Sequence, residues 1–215
     1  KQPSAGRENH MPTERFERLS ELKKRRIAKA IMDEMEQNSI EKLNMCRIAK
    51  KASISRGSLY LYFENKSDMI CFSLCRERER KLEQDKIRFQ ENGGDFWDMM
   101  AQSLQEQLSD YGRETQSLYH FLYLPGRQSF FMLQKARRRQ SDQLAEYKGW
   151  VYRNCINQEI RRLTESEFDA LDDMCRALMM VSIQEYISGS QDQGNIMSFF
   201  RDRLKLIRAS ISRQS

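Results

Sequence analysis

The sequence has 215 residues, 39% hydrophobic and 32% charged, with a formal net charge of +6. That length is enough to bury a real core, as one large or two small domains, and no apolar run reaches the roughly 18 residues of a membrane helix, so no membrane partner is expected. Five cysteines without a Cys-x-x-Cys pair and only two histidines exclude the usual zinc spacings and a histidine-built metal site, and fit a reducing, cytoplasmic setting.

Residues 1–12 are polar and read as a disordered arm or an appended remnant, with no charged-then-apolar leader. Three Pro and nine Gly leave room for long helices, and no strand pattern or internal repeat is present, so the expected fold class is all-α. Charge is uneven: residues 1–66 hold 15 Lys+Arg against 9 Asp+Glu, while the rest balances at 22 of each. A basic front end and a neutral remainder suit one part that meets phosphates and one that does not.

From Thr13 to about Gln37 the pattern is helical, with Phe16, Leu19, Ile27, Ile31 and Met35 near one stripe. Lys23-Lys24-Arg25-Arg26 falls on or beside its outer face, and Asn38-Ser39 stops it. Asn44 then caps a short helix carrying Met45, Ile48, Ala49 and Ala52 on one face. Ser53-Ile54-Ser55 is a turn in which Ile54 plugs the angle and Ser55 caps the next helix, Arg56 to Tyr62. Gly57 and Ser58 keep the start of that helix small enough to approach another surface closely. Two short helices joined this way form a helix-turn-helix, a motif that puts the start of its second helix into the DNA major groove. On that reading Arg56, Gly57 and Ser58 face base edges, Arg56 forking to guanine, and Leu61 touches a thymine methyl.

The same residues carry a resemblance. Ile48-Ala49-Lys50, then Ile54-Ser55-Arg56-Gly57-Ser58-Leu59-Tyr60, then Tyr62-Phe63-Glu64-Asn65-Lys66 resembles the signature of TetR-type bacterial transcription regulators. The close match spans residues 43–70. Ser53 stands where the family usually has Gly, which requires Ser53 to take a positive φ, and Leu61 stands where an aromatic is frequent. The resemblance implies that Tyr60, Tyr62 and Lys66 hold backbone phosphates, with Asn44 also at the DNA-binding surface. It further implies an N-terminal three-helix DNA-binding domain over residues 13–66 and a larger helical ligand-binding and dimerisation domain over residues 67–215, about nine helices in all.

Further along, a long helix starts near Ser67 and ends at Asn92-Gly93-Gly94. Asp95 caps the next, which Tyr111-Gly112 breaks. An aromatic segment, Leu118 to Leu124, ends at Pro125-Gly126, and a long helical pattern follows from Gln128 to about Ile160, kinked near Gly149. Thr164-Glu165-Ser166-Glu167 is a capping box. It opens a helix closed by Ser188-Gly189-Ser190, and a last helix runs from Ile196 to Ile211.

These elements supply two further sets of residues. The last two helices are apolar enough to pair with a second copy, through Phe168, Leu171, Phe199, Phe200, Leu204 and Ile207, as the corresponding helices do in the family. Aromatic and Met side chains in the middle of the chain, Trp97, Met100, Leu104, Tyr119, Tyr123, Phe131, Met174 and Leu178, are candidates for the ligand pocket family members often have there. Cys71 and Cys75, one turn apart, read as small buried apolar groups. No Gly-rich phosphate loop, His/Glu metal motif or nucleophile elbow is present, so no enzyme, cofactor or metal is expected. The expected function is a dimeric, sequence-specific regulator, a repressor released from a palindromic double-stranded DNA operator by a small apolar or amphipathic effector. The competing reading is a helical protein–protein adapter without DNA binding, which leaves the basic front end without a phosphate partner.

Overall fold

The computed structural model describes residues 12–38, 42–113, 134, 136, 138 and 140–212. Among these, ten α-helices and no strand occur: α1 (Glu14–Glu17), α2 (Glu21–Gln37), α3 (Met45–Lys51), α4 (Arg56–Tyr62), α5 (Lys66–Glu91), α6 (Phe96–Arg113), α7 (Ser141–Asn154), α8 (Gln158–Arg161), α9 (Glu165–Ile187) and α10 (Gln193–Ser212). Residues 1–11 and the Leu118–Leu124 and Pro125-Gly126 segment lie outside the described residues.

The helix expected from Thr13 to Gln37 is two helices. Arg18 closes α1, and Ser20, extended at φ −61° and ψ 148°, restarts the chain as α2. The break swings α1 onto α4. Thr13 donates its backbone N–H to the Tyr62 carbonyl at 3.1 Å and its hydroxyl to the Leu61 carbonyl at 2.8 Å. Phe16, fully buried, sits among Tyr62, Phe63 and Phe72, with ring centroids 5.7, 5.2 and 4.7 Å away. The same break corrects the expectation of an outward Lys24. Glu17 comes back beside it, and Lys24 is buried with its Nζ 3.0 Å from Glu17 and 3.2 Å from Glu21.

A buried carboxylate joins α2 to α3. Glu34 has no exposed surface. It accepts from Arg47 Nε at 2.9 and 3.1 Å, from the backbone N–H of Asn44 at 3.1 Å and from Asn38 Nδ2 at 3.2 Å. Burial pushes its carboxyl up, but the Arg47 and Asn44 hydrogen bonds and the charges of Arg47 and Lys51 outweigh that and hold it below its ordinary value. Asn44 in turn caps α3, its side-chain oxygen accepting from the N–H of Cys46 at 2.9 Å and of Arg47 at 3.2 Å. Ser53 turns the chain with φ 54°, a conformation most side chains avoid. Ser55 caps α4, accepting from Ser58 N–H at 3.0 Å.

Beyond α5 the turn uses Gly93 and Gly94 at φ 75° and 91°. Gly94 also allows a close approach: a Cβ there would lie 2.8 Å from the Asn154 carbonyl. That approach explains where the long pattern from Gln128 to Ile160 breaks. The kink is at Cys155–Asn157 and not at Gly149, which lies inside α7. Ile156 N–H donates to the Gly94 carbonyl at 3.1 Å, and the Asn157 side-chain oxygen accepts from Phe96 N–H at 2.8 Å. Two extended residues are needed to make those bonds. At Gly112 the expectation also fails, since α6 continues to Arg113.

The two cores follow this layout. The N-terminal one gathers residues of α1 to α4 and takes Met69, Ile70, Phe72 and Leu74 from the start of α5, with Ala136 against it. The second is built from α5 to α10 around Phe89, Phe96, Leu104, Phe168, Ile183 and Phe200. Charged side chains enter it as a connected set: Arg88 pairs with Asp85 at 2.9 Å and with Glu106, Arg176 with Asp172 at 2.7 Å, and Lys148 with Asp173 at 2.7 Å.

Two stability measurements check this local reading. Ser53→Gly relieves the left-handed strain and raises unfolding stability in urea by about 1 kcal/mol. Glu34, held below its ordinary carboxyl value of 4.5 when folded, contributes stability that is complete above that pH and is lost as pH falls through the lower folded value. Thermal midpoints measured against pH therefore decline on the acid side, and Glu34→Gln makes that decline shallower.

Candidate nucleic-acid interface

The helix α4 lies against α3 on one side, with Leu59 fully buried beneath it, and is open on the other. Arg56 and Gly57 are exposed, Ser58 and Tyr62 half-buried, and Tyr60 and Leu61 are 53% and 51% exposed. A Cβ on Gly57 would meet only Ser55 Oγ, at 3.8 Å. The protein itself therefore does not require a glycine here, and the missing side chain lowers the helix profile toward whatever lies outside.

Arg56 is held in place on this surface. Its Nη2 donates to the Tyr60 hydroxyl at 3.3 Å, and its guanidinium carbon stands 5.7 Å from the Tyr60 ring centroid. The Tyr60 hydrogen bond and charge, and then Cys46 on α3, push the Arg56 guanidinium further above its ordinary range. Cys46, on the first turn of α3, is exposed.

At the other end of α4, Asn65 caps α5 by accepting from Asp68 N–H at 3.0 Å. Lys66, the first residue of α5, is exposed and reaches back to donate to the Leu43 carbonyl at 3.2 Å. Asn44, also exposed, has its side-chain oxygen committed to the α3 cap. Asn44, Arg56, Tyr60, Leu61 and Lys66 are all exposed; Lys66 is joined to Leu43, the neighbour of Asn44, and Arg56 to Tyr60. Arg47 was missed by the sequence reading. Its only signal was a basic residue one turn before Lys51, and nothing local reveals that a buried Glu34 holds it.

The other expected sets divide. Trp97, Met100 and Leu104 are buried in the second core. Tyr119, Tyr123 and Phe131 lie outside the described residues. Met174 and Leu178 are elsewhere, on an open groove of about 460 Å³ between α9 and α10, lined also by Ala177, Val181, Arg203, Leu206 and Ile207. Of the expected pairing residues, Phe168, Leu171, Phe200 and Leu204 face the chain's own core, whereas Phe199 is 49% exposed and Ile207 half-buried. A helical stripe marks apolar residues but does not separate inner from outer ones. The large apolar side chains left uncovered on these two helices are Met174, Val181, Phe199 and Leu206. Of the cysteine pair, Cys71 is buried, while Cys75 Sγ lies 3.8 Å from the Ala136 carbonyl. Among the described residues no group of His, Cys, Asp and Glu is arranged to hold a metal, and no helix is long and apolar enough to cross a membrane.

The comparisons with known proteins agree with this geometry. The family described as "Bacterial regulatory proteins, tetR family" matches residues 27–70, which run from the middle of α2 through α3 and α4 into α5. No curated protein sequence matches the chain. Among solved structures, the transcriptional regulator FadR from Bacillus subtilis, in complex with stearoyl-CoA, superposes with a TM-score of 0.55 at 14% identity, over 85% of this chain and 96% of that one. FadR from Bacillus halodurans gives 0.54 at 13%, over 84% and 96%. A TetR transcriptional regulator from Rhodococcus sp. RHA1 gives 0.55 at 16%, over 86% and 94%. At such identities the likeness establishes the fold. The match with the tetR family of bacterial regulatory proteins is confined to the helix-turn-helix, residues 27–70, and the solved structures extend the likeness in fold to most of the chain.

Proposed function

We propose that this regulator is a dimeric repressor whose residues 13–66 read a palindromic operator, and whose remaining residues pair two subunits and sense a small apolar or amphipathic effector. The observation that carries the DNA assignment is the open face of α4, where Arg56, Tyr60 and Leu61 project while Leu59 anchors the helix from behind. Arg56, Gly57, Ser58 and Leu61 contact base edges. Tyr60, Tyr62, Lys66 and Asn44 contact the backbone. Lys66 suits a phosphate because it stands on the first turn of α5, a helix of 26 residues whose N-terminal amides favour the same charge.

Dimerisation is supported by the uncovered Met174, Val181, Phe199 and Leu206 on α9 and α10. A short recognition helix alone reads too few base pairs, and two copies reach half-sites about 34 Å apart or at multiples of that turn. Repression follows because a dimer seated on a promoter excludes polymerase without a dedicated contact to it. The effector class is supported by the apolar middle of the chain and by the stearoyl-CoA held by the Bacillus subtilis fold neighbour. The effector acts by binding one arrangement of the two α4 helices better than the other, which shifts the population off DNA.

Two experiments test this. In fluorescence anisotropy against selected and scrambled duplexes, Arg56→Ala relaxes sequence preference, by about 1–3 kcal/mol at the contacted base. Lys66→Ala weakens binding to every sequence alike and lowers the salt slope by about one per subunit. Equal effects of the two on specificity contradict the assignment. In sedimentation equilibrium the wild type is a dimer. Leu206→Glu, at a position 72% exposed in the single chain, yields a folded monomer; a dimer unaffected by that change rejects the α9–α10 surface.

A further inference from the structure

The Glu34–Arg47 pair is buried on one side only. Glu34 is fully enclosed, whereas the Arg47 side chain is 50% exposed. The carboxylate takes Nε at 2.9 Å and Nη2 at 2.5 Å, so the fork is fixed while Nη1 lies on the opposite edge of the guanidinium. Breaking the pair costs stability, but a well-packed apolar pair in the same space is often at least as stable, so folding alone does not call for charges here. Their use here points to work for the exposed half of the group.

The neighbours of Arg47 say where that half looks. Leu43, one turn earlier, accepts from Lys66 Nζ through its carbonyl. α3 itself packs on α4, the helix that opens with Arg56. The first turn of α3 thus lies beside Lys66 and along the helix that carries Arg56, the cations assigned above to phosphate and to bases.

We propose that Arg47 is a backbone-phosphate contact of the DNA interface and that the buried Glu34 is the residue that positions it. This rests on the DNA-binding reading given above. A guanidinium matches phosphate oxygens in a planar, forked geometry. One whose rotamer is already set by a carboxylate loses less freedom on binding than a free side chain does. Glu34 also holds the Asn44 N–H, so the same group orients the α3 cap and the cation beside it.

The test is a salt titration of full-length protein binding a duplex of random sequence, followed by anisotropy. Glu34→Gln keeps the Arg47 charge but weakens the fork that sets its rotamer, so the salt slope stays near the wild-type value while affinity falls severalfold; wild-type affinity in that variant rejects the positioning role. Adding Arg47→Gln lowers the slope by about one per subunit and weakens binding by about tenfold near physiological salt. Equal slope and affinity in Glu34→Gln and Glu34→Gln/Arg47→Gln overturn the proposal. Glu34→Leu/Arg47→Leu, which packs an apolar pair in the same space, guards against a folding artefact. Its thermal midpoint reports folding and the same loss of slope and affinity is expected, while wild-type affinity in that variant rejects the phosphate role. Absence of any salt-dependent binding by the wild type, seen before a variant is made, counts against the DNA-binding reading itself.

Discussion

Phe16 is the wedge on which the rest of the molecule depends. Its ring touches α4 through Tyr62, the α4–α5 junction through Phe63 and α5 through Phe72. Phe63 and Phe72 are themselves 5.5 Å apart, so the cluster closes on itself. Phe16 meets Tyr62 and Phe72 edge-on and Phe63 at a tilt, and such aromatic pairs add to the area that they bury. The consequence is that α4 has a fixed direction relative to α5, the helix that carries the first unit onto the second. The direction of this short helix is set in part by one aromatic side chain from a four-residue helix.

That arrangement also joins the two cores through α5. The early turns of α5 belong to the N-terminal core and its later turns to the second core. At the crossover, Gln140 Nε2 donates to the Cys75 carbonyl at 2.7 Å, and Arg76 reaches Glu21 of α2 at 2.9 Å. Neighbouring residues of α5 are thus bonded to Gln140 on one side and to α2 on the other. A ligand changes an equilibrium between two arrangements only by the difference in its affinity for them. Thiol chemistry is not the favoured trigger in the second core, where burial, and then Asp172, push Cys175 up to about 12 and burial raises Cys155 as well.

Features that depend on a few consecutive residues were legible in the sequence. Asn44, Ser55 and Asp95 cap the helices they precede, and Thr164 with Glu167 forms the reciprocal box. The left-handed Ser53 could be named in advance because the motif demands a turn there whatever the residue. Features set by distant atoms were not legible. The break at Arg18–Ser20 exists because Thr13 and Phe16 have partners near residue 62, and no local pattern announces them. Lys24 looks like one cation in a basic run until Glu17 is folded back over it. The kink at Cys155–Asn157 was misplaced at Gly149 because glycine is the local breaker, whereas the true cause is hydrogen bonding to the Gly94–Phe96 turn. On α9 and α10, apolar periodicity does not separate core residues such as Phe168 and Phe200 from exposed ones such as Phe199.

The central claim is that two α4 helices, aimed by their aromatic wedges, enter one face of a duplex at successive turns. Hydroxyl-radical footprinting of the full chain on a selected duplex tests it most directly. The account predicts two protected patches on the same face of the DNA, about 34 Å or a multiple of that apart, related by two-fold symmetry. A single unpaired patch, or uniform cleavage at concentrations where the protein is bound, contradicts it.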